Sequence, residues 1–313
     1  MAAILTALVP VALVVALGVA LRRRFLRDPA HWFGMEQLTY FVLFPALLVV
    51  SGARADLSKV NLVGVIGAFT AMLAVLGAAL LIARPALERG MGVDGPSFTS
   101  LFQGVLRWNT YVALAAVGGL YGASGITVAA VALVCLVPIV NVICVAVLSR
   151  YGGTGSTSIA LMLRQLGRNP LIWSCAAGMA INVLKVPVPA VILEFGDVLG
   201  RASLAIGLLV VGGGLVLRDL ARPRLVTYLA AGLTLVVKPL ITLAAGVALG
   251  LSGLELTVIV LLAAVPSAPA GYVLARQMGG NAPLLAEMLT VQIVFAAFTM
   301  PVITLIAMKV AGG

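Results

Sequence analysis

The stretch Leu261–Gln277, LLAAVPSAPAGYVLARQ, constrains the fold of this chain more than any other. It is apolar enough to lie in a membrane, yet Pro266 and Pro269 fall near its middle. A proline lacks a backbone N–H and clashes with the preceding turn, so a helix here is predicted to break or kink. In lipid, an interrupted backbone is tolerated only where protein or a water-filled cavity surrounds it. The stretch is therefore typical either of an ordinary proline kink or of a transport site, where an interrupted helix points free backbone groups at a substrate.

The composition indicates an all-α polytopic membrane protein. Of the 313 residues, 62% are hydrophobic and only 10% are charged, whereas soluble domains carry about 25% charged residues. The cysteines Cys135, Cys144 and Cys175 all lie in apolar segments. We interpret them as small buried hydrophobic residues, and we expect neither a metal site nor another cofactor.

Ten apolar segments have about the 20 residues that a helix needs to cross a bilayer. A polar loop at 151–168 divides them into two five-helix halves, 1–150 and 169–313. Because each half has an odd number of spans, the second half enters the membrane in the opposite orientation, and related halves would form a 5+5 inverted repeat. The predicted spans are 3–21, 35–53, 61–83, 98–121, 126–148, 169–185, 197–217, 225–250, 255–276 and 284–308.

The basic residues between these spans are distributed unequally over the two sides of the membrane. One set of alternate loops holds Arg22, Arg23, Arg24, Arg27, Arg84, Arg89, Arg150, Arg164, Arg168, Arg218, Arg222, Arg224 and Arg276, and the other holds Arg54, Lys59, Lys185 and Lys309. Basic loops stay in the cytoplasm, so we predict a multi-pass protein of the cytoplasmic (inner) membrane with both termini non-cytoplasmic. The net charge of +10 forms no contiguous basic domain, and we expect no nucleic-acid partner.

Spans four and nine resemble each other as symmetry mates. Aligning Asn109 with Ser267 also aligns Gly122 with Gly280. Paired interrupted segments in the two halves are the best sequence indication of a transport site. We therefore predict that each helix is broken near the midplane and that the breaks face each other, with substrate-binding residues Asn109, Thr110, Val265, Pro266, Ser267 and Pro269.

Polar residues elsewhere in the spans also need an explanation, because they are costly in lipid. Ser51 and Asn141 fit either interhelical packing or the wall of a substrate cavity, and Gln292 could reach that cavity. Lys238 lies in mid-span, and Glu287 is a candidate charge partner for it. For Arg107 three interpretations stay open: snorkelling to the surface, pairing with an acid, or supplying positive charge to an anion.

Several motifs resemble the auxin efflux carrier family of membrane transporters, which includes the plant PIN-FORMED carriers and many bacterial proteins. They are RWNTY, VPIVNV, NPLIW, VVKPL and VPSAPAGYVLARQ, and the resemblance covers essentially the whole chain. It implies a ten-helix 5+5 inverted repeat, an architecture that also occurs in bile acid/sodium symporters. It further implies a scaffold of helices one, two, six and seven that can form a homodimer. Helices three to five and eight to ten would be a transport domain with broken crossover helices four and nine.

The same resemblance implies a small organic anion as substrate. Asn109 and the backbone around Val265–Pro269 would receive its carboxylate, with Ser51, Asn141 and Gln292 in the cavity wall. Family members often carry a proline soon after the asparagine, whereas this chain has Val112-Ala113-Leu114-Ala115. The sequence therefore leaves open whether helix four is interrupted.

The leading hypothesis is a secondary transporter that moves a small organic anion through the lipid bilayer by elevator-type alternating access. One alternative is a sodium-coupled symporter of an amphipathic organic anion, and another is a channel. An intramembrane enzyme is the remote alternative, because no catalytic Ser/His, carboxylate-pair or metal-binding motif occurs in the sequence.

Overall fold

The computed structural model describes residues 2–54, 60–153, 167, 170–215 and 223–312. Lys59, Arg164, Arg168, Arg218, Arg222 and most of the loop 151–168 lie outside these residues. The described residues form helices, and no strand occurs among them. In chain order the helices are α1 (Ala2–Arg24), α2 (Pro29–Leu38), α3 (Phe44–Ala53), α4 (Leu62–Met91), α5 (Gly95–Leu106), α6 (Thr110–Tyr151), α7 (Pro170–Val183), α8 (Ala190–Gly213), α9 (Leu225–Gly232), α10 (Lys238–Ala248), α11 (Gly253–Ala263), α12 (Ala270–Met278) and α13 (Ala282–Ala311).

Seven helical stretches in the described part of the chain are long and apolar enough to cross a membrane. One of them, Gly95–Tyr151, contains both α5 and α6, and the shorter apolar helices α7 and α11 come in addition. The prediction of an all-helical, multi-pass membrane protein is confirmed. Ten spans in a 5+5 repeat stay a prediction.

The start of α8 differs from its predicted position. The span was predicted to begin at residue 197, but the helix begins at Ala190, directly after Pro189. The apolar run ends at the charged residues, whereas the helix continues through them. Asp197 forms a surface ion pair of 2.7 Å with Arg201, one turn further along the same helix. Charge therefore marked the limit of the apolar run and not the limit of the helix.

Two wide π-helical turns precede prolines within long helices. Thr39–Leu43 joins α2 to α3 just before Pro45, and Leu233–Val237 joins α9 to α10 just before Pro239. Proline cannot donate to the preceding turn and its ring crowds that turn. The widened turn accommodates the proline, so both helices continue through it.

The helices pack in two groups. In the first group, α8 packs against α1 and α3, and α3 packs against α7; in the second, α4–α6 pack with α9–α13; α6 and α13 also contact helices of the first group. Glycines bring the helices of the first group together, with Gly18 against Gly212 and Gly52 against Gly178. Small residues allow such close backbone approach in membrane proteins.

Replacing Gly178 with alanine is expected to destabilise the first group. The added Cβ would lie 2.7 Å from the carbonyl oxygen of Val49 and 2.9 Å from that of Leu48. The backbone at this contact has little room to move. We therefore expect the free energy of unfolding to fall by about 1–3 kcal/mol, with a lower melting temperature of the detergent-purified protein. Gly34→Ala in α2 is the matched control. Nothing lies within 4 Å of its added Cβ, and alanine should stabilise the helix by about 0.5–1 kcal/mol. Equal melting temperatures for the two variants would contradict this packing.

Candidate functional site

The first helix interruption lies between α5 and α6. The backbone is extended at Arg107 (φ −72°, ψ 162°) and at Asn109 (φ −81°, ψ 102°). The Asn109 Oδ1 atom accepts hydrogen bonds from the backbone N–H groups of Tyr111 (3.0 Å) and Val112 (3.2 Å). This side-chain cap starts a new helix without a proline. The interruption that the sequence left open is therefore present in the structure.

The second interruption lies between α11 and α12 and contains both prolines. Val265, Pro266 and Ser267 are buried, whereas Pro269 at the start of α12 is exposed. The Ser267 N–H donates to Oε1 of Gln292 at 2.9 Å. Each interruption thus has its polar backbone satisfied in part by a side-chain amide.

The two interruptions contact each other directly. The backbone N–H of Asn109 donates to the carbonyl oxygen of Pro266 at 2.7 Å. The hydroxyl of Ser267 donates to the carbonyl oxygen of Gln103, in the last turn of α5, at 3.3 Å. The structure therefore brings together Asn109, Pro266 and Ser267, which the sequence had placed in one site.

Gln292 from α13 connects the two interruptions. In addition to accepting from Ser267, it donates through Nε2 to the carbonyl oxygen of Gly104 (2.9 Å) and to Oγ1 of Thr234 (3.1 Å). Thr234 itself donates to the same carbonyl oxygen at 3.0 Å. The Gln292 side chain is fully buried. These hydrogen bonds show that Gln292 holds the two interruptions together. The sequence had suggested only that Gln292 could lie in the cavity wall.

The buried lysine contacts the first interruption. Lys238 has no solvent exposure, and its Nζ donates to the carbonyl oxygen of Arg107 at 3.1 Å. Arg107 is only 5% exposed, and its Nε donates to Oε1 of Gln103 at 3.2 Å. Snorkelling of Arg107 is thus ruled out by its burial.

The suggested pairing of Glu287 with Lys238 is wrong. Glu287 instead accepts from the backbone N–H of Arg224 and from the hydroxyl of Thr227, both at 2.7 Å, and lies 3.4 Å from Nε of Arg224. Glu287 sits beside the beginning of α9. Lys238 lies roughly thirteen residues, or about 20 Å, further along that helical stretch.

Three donors beside the first interruption have no hydrogen-bond partner among the described residues. They are Gln103 Nε2, Arg107 Nη2 and Asn109 Nδ2, and all three are buried. A buried polar group left unpaired costs about 1–3 kcal/mol. Because every one of these atoms is a donor, the group suits a ligand that is rich in acceptors.

Other predicted site residues are not connected to the interruptions by the described hydrogen bonds. Thr110 begins α6 and is half-buried, as are Ser51 in α3 and Asn141 in α6. Their roles stay predictions. The sequence analysis missed Thr234 and gave Gln103 no role. The one available signal was spacing, since Gln103 precedes Arg107 by one helical turn and Thr234 precedes Lys238 by one.

The chain was compared with models of protein families and with curated proteins. A family model described as "membrane transport protein" matches residues 3–304, which is nearly the entire chain. No curated protein matches the sequence.

Replacing Gln292 with leucine is expected to separate the two interruptions. The change leaves the Ser267 N–H without this acceptor and removes a donor to Gly104. We expect a loss of stability of about 2–4 kcal/mol, since buried backbone groups lose their partners, and the measurement is thermal unfolding in detergent. Thr299→Val, a half-buried site whose hydroxyl donates to the Phe295 carbonyl oxygen within the same helix, is the control and should unfold like the wild type. A stable Gln292→Leu protein would contradict the bridging role.

Proposed function

Because this chain belongs to the membrane transport protein family, the auxin efflux carrier family that its motifs resemble, we propose that it is a secondary transporter of a small organic anion. The observation that carries the proposal is the contact between the two helix interruptions, where Asn109 donates to Pro266 through its backbone. The Asn109 Nδ2 atom beside this contact is buried and has no partner among the described residues. A substrate acceptor would complete its hydrogen bonding.

Recurring landmarks support the view that the two halves are related. Helix α4 corresponds to α9–α10, α5 to α11, and the second part of α6 to α13. Glycines with positive φ or at helix starts recur at matching places: Gly92 and Gly250, Gly95 and Gly253, and Gly122 and Gly279. The last pair differs by one residue from the predicted match of Gly122 with Gly280, because the segment from Gly250 to Gly279 is one residue shorter than the segment from Gly92 to Gly122. These correspondences favour ten spans arranged as a 5+5 inverted repeat with crossing helices four and nine.

The chemical groups at the two helix interruptions favour an anion as the substrate. At the first interruption, the N–H groups of Tyr111 and Val112 already donate to Asn109 Oδ1. The donor that can contact the substrate is therefore Asn109 Nδ2. At the second interruption, α12 begins at Ala270, which is exposed. A helix N-terminus carries partial positive charge and attracts carboxylates. The site therefore combines an amide donor with a helix end.

The two packing groups offer a basis for movement. We propose that α4–α6 and α9–α13 move as a transport domain against a scaffold of α1–α3, α7 and α8, in an elevator-type alternation. The rings of Phe44 and Tyr111 stack across this boundary, with centroids 4.8 Å apart and planes 5° from parallel. Tyr111 lies next to the first interruption, so such a movement would carry the site past the scaffold. A homodimer through the scaffold and non-cytoplasmic termini stay predictions.

Sodium coupling is disfavoured by the contacts at the end of α5. Sodium sites in broken-helix carriers use free carbonyl oxygens at the ends of half-helices. Here the carbonyl oxygen of Gly104 accepts from Gln292 and Thr234, and that of Arg107 accepts from Lys238. These carbonyl oxygens are therefore already occupied by donors of the protein.

Asn109→Asp is expected to weaken anion transport without removing the helix cap. The aspartate keeps an oxygen for Tyr111 and Val112, but it loses the Nδ2 donor and adds a negative charge. We expect the apparent affinity for carboxylates to fall by about 10- to 100-fold or more, the value of a hydrogen bond to a charged group. The measurement is charge movement in proteoliposomes on addition of malonate, malate, lactate or indole-3-acetate.

Asn281→Asp is the matched control for that variant. Asn281 caps α13 through Oδ1, and its Nδ2 contacts the hydroxyl of Ser97 at 3.0 Å, which can rotate to donate to a carboxylate. We expect transport by this variant to match the wild type. Unchanged transport in Asn109→Asp would exclude the assigned site, and wild-type protein that moves none of the four acids would contradict the proposed function.

Replacing sodium with N-methyl-D-glucamine is expected to leave the anion flux unchanged. Lys238, Gln292 and Thr234 already donate to the carbonyl oxygens at the end of α5, so no sodium ion is needed there. The flux is measured in the same proteoliposomes with the membrane potential held equal. Strict dependence on sodium would favour the symporter alternative.

A further inference from the structure

We propose that the turn between α1 and α2 binds the headgroup of an anionic phospholipid with a net negative charge, of the phosphatidylglycerol type. We call residues 22–33 the arginine corner, because they include Arg22, Arg23, Arg24 and Arg27. The inference goes beyond the proposed function, since the corner is a site for lipid and not for the transported substrate. As loop charges these arginines report only topology, whereas their arrangement in the structure indicates a partner.

The arginine corner lies between two helical stretches that are long and apolar enough to cross a membrane. These stretches are Thr6–Arg24 and Pro29–Ala53. Because α1 ends at Arg24 and α2 begins at Pro29, the chain reverses within the short segment 25–28. A turn this short between two spans lies at the membrane surface, where the phosphate groups of the lipids are found.

Hydrogen bonds and packing fix the arginine corner to the end of α8. Arg22 donates through Nη1 to the carbonyl oxygen of Gly213. Trp32 is buried, its Nε1 donates to the carbonyl oxygen of Leu26 at 2.6 Å, and its ring lies where a Cβ added to Gly213 would overlap it. The corner therefore has a defined shape, which a binding site needs and a flexible basic loop lacks.

The remaining arginines of the corner are exposed and gather around the end of α1. Arg23, Arg24 and Arg27 are all exposed. The Nε atom of Arg27 donates to the carbonyl oxygen of Arg23 at 3.1 Å, so its guanidinium lies beside the last turn of α1. The neighbouring acid, Asp28, accepts from the backbone N–H of Ala30 at 2.8 Å. The ion pairs among the described residues include none of the four arginines.

The charge of the corner exceeds what the helix ends can balance. Four arginines carry four positive charges, and Asp28 carries one negative charge. The end of α1 contributes about half a negative charge and the start of α2 about half a positive charge, so these two contributions cancel. About three positive charges remain and attract anions from outside the protein. Guanidinium groups bind phosphate oxygens through two parallel hydrogen bonds.

The position of Arg24 on α1 suits a lipid better than a free anion. Leu13 and Leu17 are 63% and 50% exposed, and they precede Arg24 by about three turns and two turns, so the three side chains share one face of the helix. Val15 and Gly18, on the other face, pack against α8. An acyl chain that lies along Leu13 and Leu17 therefore brings its headgroup to Arg24.

Two exposed aromatic rings flank the arginines. Phe25 is 79% exposed and Phe33 is 63% exposed. Phenylalanine next to basic residues at a membrane surface places its ring among the upper parts of the acyl chains. The corner thus offers guanidinium groups to a phosphate and apolar side chains to the chains below it. Inorganic phosphate would use only the first of these contacts.

The experiment compares two lipids that have the same acyl chains and differ in headgroup charge. Dioleoyl phosphatidylglycerol or dioleoyl phosphatidylcholine is added to the delipidated full-length protein in detergent, and bound lipid is measured by native mass spectrometry. We expect the wild type to bind phosphatidylglycerol at least about tenfold more tightly. Arg23→Gln/Arg24→Gln should weaken phosphatidylglycerol binding by about 10- to 30-fold and leave phosphatidylcholine binding unchanged.

Arg89→Gln/Arg276→Gln is the matched control. It also removes two exposed arginines from loops on the predicted cytoplasmic side, so the change in net charge is the same. We expect this variant to keep the wild-type preference for phosphatidylglycerol. Equal losses in the two double variants would overturn the inference, because the lipid would then respond to net charge alone.

Two measurements on the wild type test the inference without any substitution. Raising the salt concentration to about 0.5 M should weaken phosphatidylglycerol binding and leave phosphatidylcholine binding unchanged, because salt screens exposed charges. Inorganic phosphate in equal concentration should not displace phosphatidylglycerol, since it lacks the acyl chains. Equal affinity for the two lipids, or displacement by phosphate, would overturn the inference. These measurements do not involve transport, so their outcome leaves the proposed function unaffected.

Discussion

The hydrogen bond from Asn109 to Pro266 addresses the main constraint on this structure, which is that broken helices inside a membrane protein must find new partners for their backbone groups. A break in one helix exposes groups that water cannot satisfy there. In this chain each break supplies part of what the other lacks. Gln292 completes the arrangement, since one amide side chain accepts from the second break and donates to the end of α5.

Much of this arrangement follows from the sequence because it depends on local rules. The two closely spaced prolines of VPSAPAG favour a break in the helix, and asparagine is among the strongest N-terminal caps. The helices also follow from apolar runs of membrane length. The limits of those helices were less accurate, as in α8, because a charged turn ends an apolar run but does not end a helix.

The pairings between distant residues could not be obtained in this way. Lys238 and Glu287 were matched by charge, yet each found a different partner, the carbonyl oxygen of Arg107 and the side chain of Arg224. A buried lysine can be satisfied by backbone as well as by an acid, and sequence does not distinguish the two. Gln292 was recognised as polar and deep, but its three hydrogen bonds depend on how α13 packs against both breaks.

The two breaks differ in how they are made, and this difference affects how the protein can respond to a ligand. The proline rings impose the second break, whereas the first depends on the Asn109 amide, whose oxygen caps α6 and whose nitrogen has no partner among the described residues. The two ends of an amide are electronically conjugated, so an acceptor at the nitrogen increases the negative charge on the oxygen and strengthens the cap. Occupancy of the site would thereby tighten the first turn of α6. Asn109 would thus couple ligand binding to the stability of the first turn of α6, whereas the break made by the prolines would not change.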